Sequence, residues 1–312
     1  MFIFSLFSLV NIPLYIFKSN PVILNVKKKG QAEMKYIIYN TMSGHGKSEE
    51  YANSAIKNEA ENIKIVDIKT VDYKSFFENL GESDEVVICG GDGTLNRFVN
   101  DIGDIEIKNK LYYCPCGTGN DFCADVCKDG SPEPFVINEY IKDLPTVTVN
   151  GKDYKFINGV GYGIDGYCCE VGDKLRAQNK KANYTAIAIK GLLFHFKPVN
   201  ATVVIDGKEY TYKKVWIAPT MFGGRYGGGM IPTPDQHRED TPKHLSLMMF
   251  HGSGKLKTLM IFPSIFKGEH VKNTKYVEVL TGNNITVKFD RPTPLQVDGE
   301  TILNVSEYTA RI

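Results

Sequence analysis

DEVVICGGDGTLN, residues Asp84 to Asn96, is the stretch on which the fold turns. Its first part, Asp84 to Cys89, is a nearly continuous apolar run, the pattern of a strand buried on both faces in a parallel sheet. The run empties into Gly90-Gly91-Asp92-Gly93-Thr94-Leu95-Asn96. In an open α/β sheet, ligands bind beyond the carboxyl ends of the strands, so a site is expected here. Gly90, Gly91 and Gly93 allow backbone to approach a phosphate closely, Thr94 and Asn96 offer neutral hydrogen bonds, and Asp92 brings a carboxylate to the same spot. A carboxylate repels a phosphate unless a cation lies between them, so these residue types point to a nucleotide carried with Mg2+. The plainer alternative is a glycine-rich turn with a capped helix.

Upstream, Lys35 to Tyr39 (KYIIY) is a short β-rich run leading into Asn40-Thr41-Met42-Ser43-Gly44-His45-Gly46-Lys47-Ser48, after which Glu49 to Glu59 has the pattern of a helix. Strand, polar loop and helix start together favour anions, which makes Asn40, Ser43 and Gly44 candidate phosphate contacts. The spacing is not that of a Walker loop, since only Gly44 and Gly46 precede Lys47-Ser48, and a plain surface turn competes with this reading. Ile63 to Ile68 is expected as a second strand and Ser75 to Leu80 as a short helix. Downstream, Leu111 to Cys114 (LYYC) is a fourth strand running into Pro115-Cys116-Gly117-Thr118-Gly119-Asn120-Asp121-Phe122. Gly117 and Thr118 repeat the phosphate-loop chemistry and Asn120-Asp121 can cap the next helix. A capped turn without a ligand is the alternative. Side by side, the two loops would form a nucleotide cleft with Asp92 and Asp121 as its acidic lip.

The rest of the chain bounds the class. At 312 residues it is about twice the usual ~150-residue domain. With 37 Lys plus Arg against 36 Asp plus Glu, its formal net charge of +1 argues against a general nucleic-acid binder. Seven cysteines, an odd number confined to the middle of the chain, fit reduced thiols in a cytosolic protein. Cys114-x-Cys116 and Cys123-x-x-x-Cys127 match no standard zinc spacing. Residues 1–33 stand apart: Phe2 to Phe17 is apolar but short for a bilayer span and broken by Asn11 and Pro13. Three readings fit it: a weak anchor, a disordered leader, or a start placed too early, with Lys28-Lys29-Gly30 encoded by a purine-rich stretch just upstream of Met34.

After Leu144-Pro145 the texture changes to short strands between turns: Thr146 to Val149, Tyr154 to Asn158, Ala201 to Ile205, Lys213 to Pro219, Leu245 to Phe250, Val277 to Leu280 and Ile285 to Phe289. That spacing suits a β-sandwich. A helical interruption is expected over Asp173 to Phe196. Lys255 to Lys275 mixes lysines with Leu256, Leu259, Met260, Ile261, Phe262, Ile265 and Phe266. Such a mixture suits an anionic membrane surface or, alternatively, a helical connection packed on the sandwich.

GGDGTLN (Gly90 to Asn96) followed by GTGNDF (Gly117 to Phe122) resembles the diacylglycerol kinase catalytic-domain family, in its soluble bacterial lipid-kinase branch. Further blocks similar to the family's are Asn158 to Asp165, Gly227-Gly228-Gly229-Met230 and Pro294 to Glu300, so the resemblance spans about Met34 to Ile312. It implies an α/β ATP-binding catalytic domain over residues 34–145, with the parallel sheet shared by NAD kinases and diacylglycerol kinases. An all-β sandwich domain for lipid would follow over residues 146–312, its last segment returning to the first. It also implies ATP and Mg2+ as cofactors, Glu300 as general base toward a lipid hydroxyl, and Asp92, Asp121 and Asp165 as organisers of magnesium and water. For Asp165 a structural turn or cap is an equal alternative. A structural magnesium at Asp240 is a weaker implication, because Asp240 is followed by Thr241-Pro242-Lys243 where the family has Asp-Gly and a strand. The implied partner is a lipid alcohol, most simply diacylglycerol, met by a cytoplasmic enzyme in peripheral contact with a membrane. An NAD kinase-like enzyme shares the GGDGT loop but not the VDGE ending, and a non-catalytic nucleotide or lipid sensor is the remaining alternative.

Overall fold

The computed structural model describes residues 33–40, 46–58, 62–117, 119–127 and 133–312. The expectations for residues 1–32, Ser43, Gly44 and Thr118 lie outside these residues.

The apolar run ahead of the glycines forms β3 of a five-stranded sheet. In chain order the first half contains β1 (Lys35–Tyr39), α1 (Lys47–Asn58), β2 (Ile63–Asp67), α2 (Tyr73–Glu78), β3 (Glu85–Gly90), α3 (Asp92–Ile102), β4 (Lys110–Pro115), α4 (Asp121–Val126), β5 (Phe135–Val136) and α5 (Asn138–Ile141). The strand order is β2-β1-β3-β4-β5, parallel except for the short edge strand β5. β3 lies between β1 and β4, which is why its apolar run is unbroken: Val86 and Ile88 face one core, Val87 and Cys89 the other. Leu95, Phe98, Val99 and Ile102, one face of α3 at helical spacing, close over the first of these with Tyr113 and Phe122. Each such fully buried side chain contributes about 1.5–3 kcal/mol.

The second half contains β6 (Thr146–Val149), β7 (Lys152–Lys155), β8 (Gly159–Tyr162), α6 (Ile164–Ala177), α7 (Tyr184–Lys190), β9 (Val199–Ile205), β10 (Lys208–Val215), β11 (Thr220–Met221), β12 (Leu245–Phe250), α8 (Lys255–Ile261), β13 (Val277–Gly282), β14 (Asn284–Val297) and β15 (Glu300–Arg311). Every pairing is antiparallel. The long β14 organises the sheet: Ile285 to Phe289 pair with β9, Leu295 to Val297 pair with β8, and β15 runs along it. Register shifts between Lys288 and Leu295 divide these two stretches, and Tyr162 stacks on Phe289 at 3.7 Å in the enclosed core.

Three elements differ from expectation. Tyr154 to Asn158 is not one strand: the N–H groups of Ile157 and Asn158 leave the ladder to meet the Asp298 carboxylate, so β7 ends at Lys155 and β8 starts at Gly159. The helix expected from Asp173 begins earlier, at Ile164, and stops at Ala177. A second helix, α7, starts after the Asn183 cap, whose side chain accepts from Ala186 N at 3.0 Å, and continues into a π-helical turn at Gly191–His195. The strand expected over Lys213 to Pro219 closes as β10 at Val215, after Lys214 takes positive φ, and only Ile217 bridges onward. All seven cysteines are free thiols.

Candidate active site

β3 and β4 end side by side, so the two glycine loops meet. A Cβ on Gly117 would come within 2.4 Å of Gly91 Cα, and one on Gly90 within 2.4 Å of the Thr94 side chain, so both positions require glycine. Asn40, at the end of β1, donates to Thr94 Oγ1 at 3.1 Å, while Ser48 Oγ donates to Cys89 O and accepts from Asn40 N. These bonds gather the starts of α1 and α3 around the tip of β3.

Asp92 opens α3 but works on its neighbour: Oδ2 accepts from Asp121 N at 2.7 Å and Oδ1 from Phe122 N at 3.1 Å. It thereby caps α4, whose own Asn120, in left-handed conformation, turns its side chain back onto Gly117. Asp121 in turn accepts from Gly228 N and Gly229 N, each at 2.7 Å. That turn exists because Gly227, Gly228 and Gly229 all hold positive φ between the bonded pair Tyr226 and Met230. Burial pushes the Asp92 carboxyl above the usual range, and pushes Asp121 up to about 6, with the Asp92 charge adding to the rise.

The turn between β14 and β15 brings the final acidic pair to the same place. Asp298 is buried and accepts from Ile157 N at 2.5 Å, Asn158 N at 2.8 Å, Gly159 N at 2.9 Å and Asn96 Nδ2 at 2.8 Å. Held by that anchor, Glu300 stays exposed, and a Cβ on Gly93 would lie 3.5 Å from Glu300 Oε1. A carboxylate with access to water therefore stands over the first glycine loop.

Residues 35–144 match the model of the diacylglycerol kinase catalytic domain, and residues 158–309 match that of the YegS C-terminal NAD kinase beta sandwich-like domain. The chain thus carries, over residues 35–144, a domain of the diacylglycerol kinase catalytic-domain family. It is 26% identical over 252 residues to the diacylglycerol kinase of Mycobacterium tuberculosis H37Rv, covering 75% of this chain and 78% of that one. It is also 26% identical over 231 residues to the diacylglycerol kinase of Bacillus subtilis, covering 71% and 72%. A solved structure from Bacillus anthracis Sterne superposes with TM-score 0.61 at 18% identity over 92% of this chain and 95% of that one, which places the fold.

Asp92, Asp121, Gly90, Gly91, Gly93, Thr94, Gly117 and Asn40 surround the meeting point of the two loops, and Glu300 faces it. Asn96 does not: it is buried and donates to Asp298 and to Lys155 O, so its expected nucleotide contact is replaced by a tie between α3 and the last turn. Asp165 stands apart from the Asp92–Asp121 pair, buried at the start of α6, where it accepts from Gln296 Nε2 at 3.0 Å. Its alternative structural reading fits this placement. Asp240 faces His244 Nε2 at 3.8 Å. Among the described residues no group of three or more His, Cys, Asp and Glu side chains is placed to hold a metal ion.

Asp92 and Asp121 form a pair, not a cage. That suits a Mg2+ ion, which binds through one or two carboxylates and takes phosphate and water for its other positions. Sequence reasoning missed Arg238. Its Nε donates to Asp125 Oδ2 at 2.6 Å, and its other nitrogens donate to Ile157 O and Asn158 Oδ1, with its plane over Phe122. It lies two residues ahead of Asp240, where the sequence departs from the family pattern.

Proposed function

We propose that the protein transfers the γ-phosphoryl group of ATP to a lipid hydroxyl, with diacylglycerol as acceptor and phosphatidic acid as product, at the cytoplasmic side of a membrane. The observation that carries this reading is Glu300: an exposed carboxylate above Gly93, fixed by the fourfold-bonded Asp298 next to it. In this role Glu300 takes the proton from the acceptor hydroxyl as its oxygen attacks the γ-phosphorus, in line with the departing ADP oxygen. The glycine loops of Gly90 to Gly93 and Gly117 let backbone approach the phosphates. Asp92 and Asp121 would hold Mg2+, which neutralises charge on the phosphate oxygens as the bond to ADP lengthens. Little covalent chemistry is asked of the chain, since phosphoryl transfer depends mainly on position and charge stabilisation.

The experiment is transfer of label from γ-labelled ATP to a panel of lipid alcohols in mixed micelles: diacylglycerol, undecaprenol, a sphingoid base and phosphatidylglycerol. Label in phosphatidic acid is the expected outcome. Label in another lipid would change the acceptor, and label in NADP when NAD is supplied would replace the reading with the NAD kinase alternative.

A further inference from the structure

Phe194, Leu256 and Met260 are 73%, 74% and 75% exposed. Single apolar residues on a surface need no explanation, but these belong to two elements that are fastened together. Lys255 Nζ, at the start of α8, donates to Leu193 O in the π-helical turn at 2.7 Å. Beneath them Leu192, Ile261 and Ile265 share one core with Trp216. Leu256 and Met260, four residues apart, share the outer face of α8, while Thr258 and Ile261 are buried on its inner face. The exposed face is therefore additional to the one that holds the helix in place, which exceeds what a packed connection requires.

The charge around this face is one-sided. Residues 184–200 and 251–268 hold five lysines, Lys190, Lys197, Lys255, Lys257 and Lys267, all exposed, and no Asp or Glu. The whole chain, by contrast, is almost balanced at +1. Acidic residues of adjoining elements are paired locally: Glu170 with Lys174, Asp173 with Arg176, and Glu269 with Lys272. Projecting apolar side chains with a lysine rim match a bilayer bearing anionic headgroups, where the side chains enter the acyl boundary and the lysines meet the headgroups.

Resting on the lipid-kinase reading, we propose that α8 and the Gly191–His195 turn form the surface by which this protein docks on an anionic lipid bilayer. The surface adjoins the site: Ile231 N donates to Ile265 O, and His270 Nε2 bonds Pro232 O at 2.7 Å. These bonds join the segment after α8 to the residues following the Gly227–Gly229 turn that holds Asp121. Docking would thus bring the cleft to its substrate.

The test is sedimentation of the full chain with vesicles of equal parts phosphatidylglycerol and phosphatidylcholine, without ATP. Emission of Trp216, the single tryptophan, buried beside Ser253, serves as the folding control. The Leu256→Ser/Met260→Ser variant is expected to partition about tenfold or more weakly. Lys257→Gln and Lys267→Gln should each lose about fivefold, and less in high salt. Phosphorylation of a water-soluble short-chain diacylglycerol should be unchanged in all three. Equal vesicle binding by wild type and folded variants overturns the proposal. So does a self-association that the Leu256→Ser/Met260→Ser variant abolishes while vesicles bind nothing. If the variants lose vesicle binding but no lipid alcohol is ever phosphorylated, the surface stands and the kinase reading falls.

Discussion

Asn96 Nδ2 donates to Asp298 Oδ2 at 2.8 Å, a buried bond between α3 and the β14–β15 turn that spans 202 residues of sequence. Through it the helix of the first glycine loop and the turn carrying Glu300 share one anchor. Asp298→Ala would leave the N–H groups of Ile157, Asn158 and Gly159 without their acceptor and the Asn96 amide with Lys155 O alone. Leaving one buried donor unsatisfied costs about 1–3 kcal/mol, so a stability loss of about 3 kcal/mol or more is expected. Urea unfolding at constant slope reads it, and an unmoved midpoint would show that the cage contributes nothing.

Glu300 is exposed, so Glu300→Gln should leave the urea midpoint within about 0.5 kcal/mol of wild type. Gln keeps the size and cannot accept the proton, so the rate of phosphoryl transfer should fall about 10²- to 10⁴-fold while nucleotide affinity persists. Single-turnover kinetics beside calorimetric titration with an unreactive ATP analogue separates the two. Lost affinity with an unchanged chemical step would move Glu300 from base to phosphate or metal ligand.

Burial pushes the Asp165 carboxyl up to about 6, and the Gln296 amide opposes this only in part. With the folded value above the unfolded one of about 4, the protonated form is favoured on folding. The contribution is fully present below the unfolded value and is lost as pH rises through about 6. Asp165→Asn removes that charge, so its advantage over wild type should grow from pH 4 to pH 6 and level above pH 7 at about 2–3 kcal/mol. Denaturant unfolding at pH 5 and pH 8 measures it; an equal difference at both would mean that Asp165 does not titrate in this window.

Local signals carried much of the fold. The unbroken apolar run of β3 and the glycines that follow it were readable because burial on both faces and close backbone approach each limit the residue types at their own positions. What escaped were bonds whose partners lie far away in sequence. Asn96 looked like a phosphate ligand from its place in the loop, because nothing near it shows that Asp298 will arrive. Gly227 to Gly229 were visible only as a family block, and their use in holding Asp121 appears once the chain has folded across more than 100 residues. The same cause cut the strand expected at Tyr154 to Asn158, since Asp298 draws its N–H groups out of the ladder.

Arg238 is the last of these distant ties and the easiest to isolate. Its side chain is buried, paired with Asp125 at 2.6 Å, bonded to Ile157 O and Asn158 Oδ1, and centred 4.9 Å from the Phe122 ring and 5.7 Å from that of Phe222. Those contacts use the planar fork of a guanidinium, which the single ammonium of lysine cannot reproduce. Arg238→Ala would leave the mostly buried Asp125 without its cation, and breaking such a pair costs about 3–5 kcal/mol. Arg238→Lys keeps the charge but not the reach to both Ile157 and Asn158, so a smaller loss of about 1–3 kcal/mol is expected. Because Asn158 lies beside Asp92, loosening it should also lower kcat at temperatures where the Arg238→Lys protein is fully folded. Unfolding curves of both variants with kcat at 20 °C below the unfolding onset decide the matter. A lysine variant with wild-type stability and kcat would show that Arg238 acts through charge alone.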